Sequence, residues 1–119
     1  MNLDANVPQD VIEKAYQAVE AARKTGGKLK KGVNEVTKAI ERGVAKLVLV
    51  AKDVNPKEVV MHLPILFKEK DTPFIIVWSR EELGAAAGLT VATSSVAIVK
   101  EGEAKKQIKD VQTRLEELK

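Results

Sequence analysis

The chain has 119 residues, of which 45% are hydrophobic and 31% are charged, with a formal net charge of +3. These values predict one globular domain over residues 1–119 and exclude an intrinsically disordered chain. With no cysteine and one histidine, disulfides, thiol catalysis and an ordinary zinc site are excluded. No apolar run approaches the roughly 18 residues of a membrane span, and the N-terminus lacks the apolar core of a signal peptide. We therefore expect a cytoplasmic protein without a metal or cofactor.

Hydrophobic periodicity divides the first half of the chain into alternating helices and strands. Pro8 and the apolar residues that follow it at three- and four-residue steps predict a helix that ends at residues 25–27. A short basic strand or turn follows, and then a helix over about residues 33–42 that Gly43 stops. Residues 47–51 are a continuous apolar run. Such a run is typical of a strand covered on both faces.

The same alternation continues after this strand. A turn at residues 53–56 leads into a third helix that Pro64 interrupts or restarts. Residues 74–77 are again continuously apolar and predict a second buried strand. We expect Ser79 to cap a short helix that Gly88 ends.

A strand over residues 96–99 and a helix from about residue 103 complete the predicted elements. The apolar residues of this last helix recur at spacings of three and four, but they span only two heptads, too few to favour a coiled coil. Helices that alternate with buried strands need a sheet between two helical layers. The pattern therefore predicts a three-layer α/β/α sandwich with a central mixed sheet.

Residues 30–38, with the sequence KKGVNEVTK, are the most informative segment. Gly32 allows a phosphate to approach the backbone at a helix N-terminus, where free N–H groups and the helix dipole favour an anion. Asn34, Glu35 and Lys38 add an amide, a carboxylate and an ammonium, which are groups that read purine edges. The alternative interpretation is that Asn34 caps the helix and Glu35 interacts with its dipole.

Basic residues are concentrated just before this segment and inside it. Five of them and no acid lie between positions 23 and 31, namely Arg23, Lys24, Lys28, Lys30 and Lys31. The overall charge is only mildly positive, so this distribution says more about an anionic partner than the net charge does. A solvated loop is the alternative interpretation of the run.

Motifs for catalysis or nucleotide binding are incomplete. Residues 25–28 (TGGK) are superficially similar to a phosphate-binding loop, but a helix precedes them and leucine follows the lysine. The glycines of residues 84–88 fall on and after a helix, unlike those of a dinucleotide fingerprint. We expect His62 to pack or form a hydrogen bond at a helix end. A protein without catalytic activity is predicted, and a small nucleotide-binding α/β enzyme is the weaker alternative.

Residues 31–43 resemble the signature of the archaeal kink-turn-binding large-subunit ribosomal protein family (L-seven-Ae). Further motifs follow in the family's order and approximate spacing: AKLV at 45–48, AKDVNP at 51–56, HLP at 62–64, LGAAAG at 83–88 and SVAI at 95–98. The resemblance covers nearly the whole chain. The motifs are specific together, although each would be weak alone.

The resemblance implies recognition of the kink-turn, a sharply bent internal RNA loop with tandem sheared G·A pairs. It implies that Lys31, the Gly32 backbone and Arg42 hold phosphates. The amide, carboxylate and ammonium groups within residues 30–38 would read the purines of the G·A pairs. A bent loop offers base edges that the narrow major groove of regular A-form RNA does not.

Residues 89–91 are the second contact that the resemblance implies. In the family this loop lies beside the Asn-Glu helix and covers an extruded nucleotide. Leu89 and Val91 would then cover a base face, and Thr90 would bond the base edge or the sugar. Family members often carry an acid or a serine where Thr90 stands. Composition alone favours a core segment or a strand entry here.

Three more residues match positions near the implied pocket. Arg80 corresponds to a basic family position, with ion pairing in the neighbourhood of Glu81 as the alternative. Trp78 replaces a smaller residue common in relatives, and it either packs at the sheet edge or offers a stacking face. Asn55 stands where some relatives have an acid that helps to bind a base.

The resemblance also implies roles in several ribonucleoproteins. These are the large ribosomal subunit, box C/D and H/ACA guide-RNA particles for methylation and pseudouridylation, and archaeal ribonuclease P, which processes tRNA. Catalysis in them belongs to other components. This chain would be a monomer when free, and it would join other ribonucleoprotein subunits on the RNA. The main alternative is a protein-interaction scaffold of the same fold without RNA binding.

Overall fold

The computed structural model describes residues 8–52, 69–70 and 72–117. Within these ranges the helices are α1 (Gln9–Lys24), α2 (Val33–Glu41), α3 (Arg80–Ala86) and α4 (Lys105–Glu117), and residues 69–70 are helical as well. The strands are β1 (Lys28–Lys31), β2 (Leu47–Ala51), β3 (Phe74–Val77) and β4 (Ser95–Lys100). These helices and strands were predicted close to their observed bounds, except that β1 was expected as either a strand or a turn. The predicted third helix, Asn55, His62 and Pro64 lie outside the described residues.

The four strands form one mixed sheet in the order β1-β4-β2-β3. β2 and β3 are parallel, whereas β4 is antiparallel to both β1 and β2. In this register Lys31 is opposite Val96, and Val50 is opposite Ser95. The C-terminal ends of β1, β2 and β3 and the N-terminal end of β4 therefore lie together at one end of the sheet.

Helices cover both faces of this sheet. All five residues of β2 are buried, as its continuous apolar sequence predicts. α1 packs against α3 and α4, whereas α2 packs mainly on β1 and β4. The predicted three-layer α/β/α sandwich with a mixed sheet is confirmed. No helix in the described part of the chain is long and apolar enough to cross a bilayer.

The apolar stripe of α4 belongs to the core. Ile108 and Val111 are buried in it, and Leu115 packs against it half-buried. Polar contacts hold the exposed side of the helix, because the Arg114 guanidinium lies 3.0 Å from the Asp10 carboxylate of α1. The spacing of apolar residues in α4 thus reflects packing on α1.

The TGGK segment has a packing role at the opposite end of the sheet from the C-terminal end of β1. The Thr25 hydroxyl donates to the Ala21 carbonyl at 2.6 Å and accepts from the Glu103 N–H at 2.8 Å. A Cβ on Gly27 would lie 2.5 Å from the Lys100 carbonyl oxygen, so only glycine fits between α1 and the end of β4. These glycines bring two turns together, and this contact accounts for the motif.

Candidate functional site

The start of α2 is tied directly to the start of β4. Gly32 is the N-cap residue and has a φ of 89°, in the region that glycine adopts without strain. Its N–H donates to the Ser95 carbonyl at 2.9 Å, and its own carbonyl accepts the Val36 N–H at 3.0 Å. The helix N-terminus therefore points outward from a fixed position at the sheet end.

Asn34 and Glu35 are the second and third residues of α2, and both are exposed. Since Gly32 holds the N-cap position, the capping interpretation of Asn34 is wrong. Across residues 8–52, 69–70 and 72–117, the Asn34 side chain has no hydrogen-bond partner. Its amide is thus available to a ligand, with both donor and acceptor unused.

The Glu35 carboxylate has one weak contact. Its Oε2 atom lies 3.9 Å from the Lys30 Nζ, and the two side chains are 50% and 45% exposed. Exposed ion pairs of this kind contribute at most about 1 kcal/mol, so either group can exchange its partner easily. As an acid in the first turn, Glu35 also interacts favourably with the helix dipole.

The remaining predicted residues of this segment are basic and exposed. Lys31 ends β1, Lys38 lies one turn beyond Asn34, and Arg42 is the C-cap of α2. Arg42 is about 12 Å along the helix axis from Asn34, at 1.5 Å per residue. The opposite side of α2 is apolar and buried. The structure thus presents one polar surface along the outward side of the helix.

The loop of residues 87–94 lies flat against α3. The Leu89 N–H donates to the Gly84 carbonyl at 2.9 Å, and the Thr93 N–H donates to the Arg80 carbonyl at 3.1 Å. A Cβ on Gly84 would clash with the Val91 carbonyl oxygen and would lie 3.2 Å from the Ala92 Cα. Glycine at position 84 therefore permits a close approach of the loop backbone to the helix.

The side chains of this loop differ in burial. Leu89 is half-buried and packs against the core, which agrees in part with the core interpretation. That interpretation is wrong for Val91, whose exposed fraction is 67%, and Thr90 is exposed as well. A large apolar side chain held in solvent by a well-anchored backbone is a candidate contact for a ligand.

The segment that leads into α3 lies at the same end of the sheet. The Ser79 hydroxyl accepts the Glu82 N–H at 3.1 Å, which confirms the predicted cap. Arg80 follows and is half-buried. Trp78 is 38% exposed, and its ring centroid lies 5.8 Å from that of Tyr16 on α1. Trp78 therefore packs against α1 just after the edge strand β3 and keeps an exposed face, which is compatible with both of its interpretations.

The backbone carbonyl of Ser95 joins the two predicted contact regions. It accepts the Gly32 N–H from the start of α2 and also the Thr93 hydroxyl, at 3.2 Å, from the loop. Thr93 and Ser95 are buried polar residues, and the sequence named Ser95 only as the first residue of the SVAI motif and did not name Thr93. Their only signal was a run of hydroxyl residues before an apolar strand, a pattern that loops share widely.

The site thus combines a polar helix start, exposed basic residues and a supported apolar loop on a small α/β/α sandwich. Within the ranges that the structure describes, no group of three His, Cys, Asp or Glu residues could hold a metal ion. This arrangement is a candidate binding surface made of side chains from the end of β1, from α2 and from the loop of residues 87–94. Its geometry indicates a protein of the recognition class.

Comparison with known proteins agrees with this class. A sequence model of the ribosomal protein L7Ae/L30e/S12e/Gadd45 family matches residues 13–108, and the chain belongs to this family. A solved structure described as the Giardia lamblia 15.5kD RNA binding protein superposes with a TM-score of 0.90. Its sequence identity is 26%, over 98% of this chain and 97% of that chain. The family resemblance and the fold expected from it are confirmed.

Proposed function

We propose that the chain is a non-catalytic RNA-binding protein, one domain over residues 1–119, that recognises kink-turns with tandem sheared G·A pairs. Family membership and the similarity to an RNA-binding protein support RNA as the ligand. The observation that carries the proposal is the Ser95 carbonyl, which holds the polar helix start and the apolar loop at the same end of the sheet. A bent RNA loop presents polar base edges and an unstacked base side by side.

The helix start reads the purines in this proposal. The Asn34 amide has no hydrogen-bond partner in the described ranges, and it can both donate to and accept from a base edge. The Glu35 carboxylate accepts from the N–H groups of a guanine, a pairing that compensates for its unfavourable charge next to RNA. Lys38, one turn further along, donates to purine acceptors from the same surface.

Phosphates are held by groups around the reading residues. The free N–H groups at the start of α2 and its dipole favour an anion beside Gly32. Lys31 is adjacent to this position and Arg42 is at the far end of the helix. Because these cations lie on either side of the purine-reading residues, they fix the RNA in register without reading its sequence.

The apolar loop covers an extruded base. Val91 is exposed on a backbone that Gly84 and Thr93 hold against α3, so the base gains a contact surface that needs little ordering. Leu89 supplies the inner part of this surface, and Thr90 bonds the base edge or the sugar. Arg80, at the start of α3, supplies positive charge beside the pocket.

Binding of this kind selects the kinked conformation of the RNA. A protein that contacts only the kinked state shifts the RNA toward it by the difference in affinity for the two states. The chain then serves as an assembly component for ribosomal, box C/D, H/ACA and ribonuclease P RNAs, in which other subunits recognise the bent RNA. A protein-interaction scaffold of the same fold would make no such distinction between kinked and regular RNA.

The proposal is tested by comparing Glu35→Gln with Glu41→Gln. Both residues are exposed acids of α2, so both substitutions remove one negative charge from the same helix. Electrostatics alone would strengthen RNA binding by both variants. If Glu35 reads a guanine, Glu35→Gln loses on the order of 1–3 kcal/mol of binding free energy to kink-turn RNA, while Glu41→Gln does not.

The same titrations use an RNA in which Watson–Crick pairs replace the G·A pairs. We expect the parent protein to prefer the kink-turn, and Glu35→Gln to reduce this preference. A folded Glu35→Gln variant that binds kink-turn RNA as tightly as the parent contradicts the mechanism. Equal binding of both RNAs by the parent, or no binding, supports the scaffold alternative.

A further inference from the structure

A group of exposed lysines lies at the end of the sheet opposite the proposed RNA site. Its members come from four different elements, and we call them the lysine corner: Lys24, Lys28, Lys100, Lys105 and Lys106. They stand at the end of α1, the start of β1, the end of β4 and the start of α4. Only Lys24 and Lys28 belong to the basic run at positions 23–31, so the sequence alone did not indicate this group.

Tight backbone contacts bring these elements together. Lys28 and Lys100 are opposite one another in the antiparallel β1–β4 pair, next to a shift of register between Lys28 and Leu29. The turn after α1 and the turn before α4 interlock, because the Glu103 N–H donates to the Thr25 hydroxyl at 2.8 Å. A Cβ on Gly102 would lie 2.5 Å from the same hydroxyl oxygen. The lysine corner is therefore built on rigid, closely packed turns.

The positive charge of the lysine corner is not balanced locally. None of its five lysines forms an ion pair with any residue in the described ranges. Two acids lie in the adjoining turn, the half-buried Glu101 and the exposed Glu103. Five lysines against these two acids give an excess of three positive charges, and the exposed Glu20 and Asp110, one helical turn from Lys24 and Lys106, lower this excess without forming an ion pair with those lysines.

This placement of charge is unfavourable for folding. Like charges that are directly opposite in antiparallel strands repel each other, which applies to Lys28 and Lys100. Lys105 and Lys106 occupy the first turn of α4, where the helix dipole disfavours cations, and no acid is present in that turn. Charge that opposes the fold in this way indicates an anionic partner.

Protection of an edge strand against aggregation explains only part of this pattern. β1 is the edge strand of the sheet, and lysines on such strands discourage pairing with other chains. Lys28 fits that role. Lys100 ends β4, which has strands on both sides, and the lysines of α4 are on a helix. Edge protection therefore does not account for these three.

We propose that the lysine corner is a second phosphate-binding surface, which contacts the backbone of an RNA helix lying along the β1 edge. The inference rests on the proposed function, in which Lys31 contacts the RNA. Lys28 of the lysine corner is on the same strand, and its Cα atom is about 10 Å from that of Lys31, so one RNA helix can reach both. Lys30 and Lys31 are exposed between the lysine corner and the start of α2. Basic residues thus occupy three of the four positions of β1 between one site and the other.

The helix that binds there has two possible sources with the same phosphate chemistry, the stem that flanks a bound kink-turn and a separate RNA duplex. The experiment compares kink-turn RNAs with a long flanking stem and with a minimal one. The parent protein gains affinity from the long stem at low salt. Since about two phosphate contacts are involved, this gain falls on the order of tenfold between 50 and 200 mM salt.

The test variant is Lys28→Gln/Lys100→Gln, and Lys14→Gln/Lys70→Gln is the matched control. Both double variants lose two positive charges, but Lys14 lies in the first half of α1 and Lys70 precedes the other edge strand, β3. We expect the test variant to lose the gain from the long stem and to reduce the salt slope by about one to two units. The control keeps the gain. Lys105→Gln/Lys106→Gln repeats the test on a different element.

Thermal unfolding separates binding from folding. Because the test variant removes the repulsion between Lys28 and Lys100, its melting temperature is not lower than that of the parent. A gain from the long stem that survives an unlinked competitor duplex identifies the flanking stem as the ligand, and binding of the unlinked duplex to the lysine corner without a gain from the long stem identifies a separate helix. Both results support the second surface.

Retention of the full gain in both double variants of the lysine corner overturns the inference, as does an equal loss in the control. Failure of the proposed function has a different signature. In that case the parent does not prefer kink-turn RNA over the RNA without G·A pairs, whatever the stem length. In that case the affinity for plain duplex RNA tests the lysine corner by itself. Unchanged affinity in both double variants rejects the second phosphate-binding surface.

Discussion

The start of α2 and the loop of residues 87–94 are the two halves of the proposed interface, and they are held in different ways. The start of α2 needs one tertiary hydrogen bond, from the Gly32 N–H to the Ser95 carbonyl, but the direction of Asn34 and Glu35 is local, since a glycine N-cap and the helix that follows it place them outward. The loop has no regular structure of its own. It is positioned by contacts with α3, above all the close approach of Gly84 to Val91.

This difference predicts how substitutions in each half of the interface affect stability and RNA binding. Polar side chains on a helix start keep their direction as long as the helix forms, so single substitutions there change chemistry more than shape. The loop depends on one close backbone contact and on the hydrogen bonds of Leu89 and Thr93. We therefore expect substitutions beneath the loop to change both stability and binding, and substitutions at its surface to change binding alone.

The largest effect is expected for Gly84→Ala. The added Cβ clashes with the Val91 carbonyl oxygen, so the loop or α3 must move. Overpacking of this kind costs about 1–3 kcal/mol of unfolding free energy, and displacement of the loop also weakens RNA binding. Denaturant unfolding and RNA titration measure the two losses.

Ala85→Ser is the control for this substitution. Ala85 is the next residue of α3 and is exposed, so its change should stay within about 0.5 kcal/mol of the parent. If Gly84→Ala is as stable as the control and binds RNA equally well, the loop is not positioned by this contact. The proposed difference between the start of α2 and the loop of residues 87–94 would then be wrong.

Val91→Asp has a smaller and more selective effect. Val91 is largely exposed, so the variant should unfold within about 0.5 kcal/mol of the parent. Loss of the apolar cover over a base weakens binding of kink-turn RNA by about 1–2 kcal/mol, because the base and the side chain then bury less apolar surface. The measurement is a titration paired with a thermal melt.

Val44→Asp provides the matched control, because Val44 is another exposed valine, located beyond the C-terminal end of α2. Both variants add one negative charge, so any excess loss at Val91 isolates the base contact from general repulsion. A Val91→Asp variant that melts far below the parent would instead show that the exposed Val91 side chain stabilises the fold, and would contradict a role in binding alone.

The smallest effects are expected for the phosphate contacts. Lys31→Ala and Arg42→Ala should each reduce the salt slope of RNA binding by roughly one unit and weaken all RNAs about equally. Lys14→Ala, on α1, is the control and should leave the slope unchanged. Affinities measured at several salt concentrations provide the slopes. Unchanged slopes in both variants would remove these residues from the interface.

Much of the fold was predictable because it follows local rules. Continuous apolar runs identified β2 and β3, and a serine followed by a short helical pattern identified α3 with Ser79 as its cap. Two interpretations drawn from local pattern were wrong, the core position of Val91 and the capping role of Asn34. Gly32 is the N-cap in the structure, and a glycine with positive φ can occupy that position without a side-chain hydrogen bond.

The sequence by itself determined the elements, the sandwich and the family, because hydrophobic periodicity, turn residues and ordered motifs are written along the chain. Tertiary structure alone decided which exposed residues meet. The Ser95 carbonyl joins Gly32 to Thr93 across the sheet end, and strand register places Lys28 opposite Lys100. Such contacts depend on strand order and on close backbone approach between segments far apart in the chain. No local pattern of residues encodes that information.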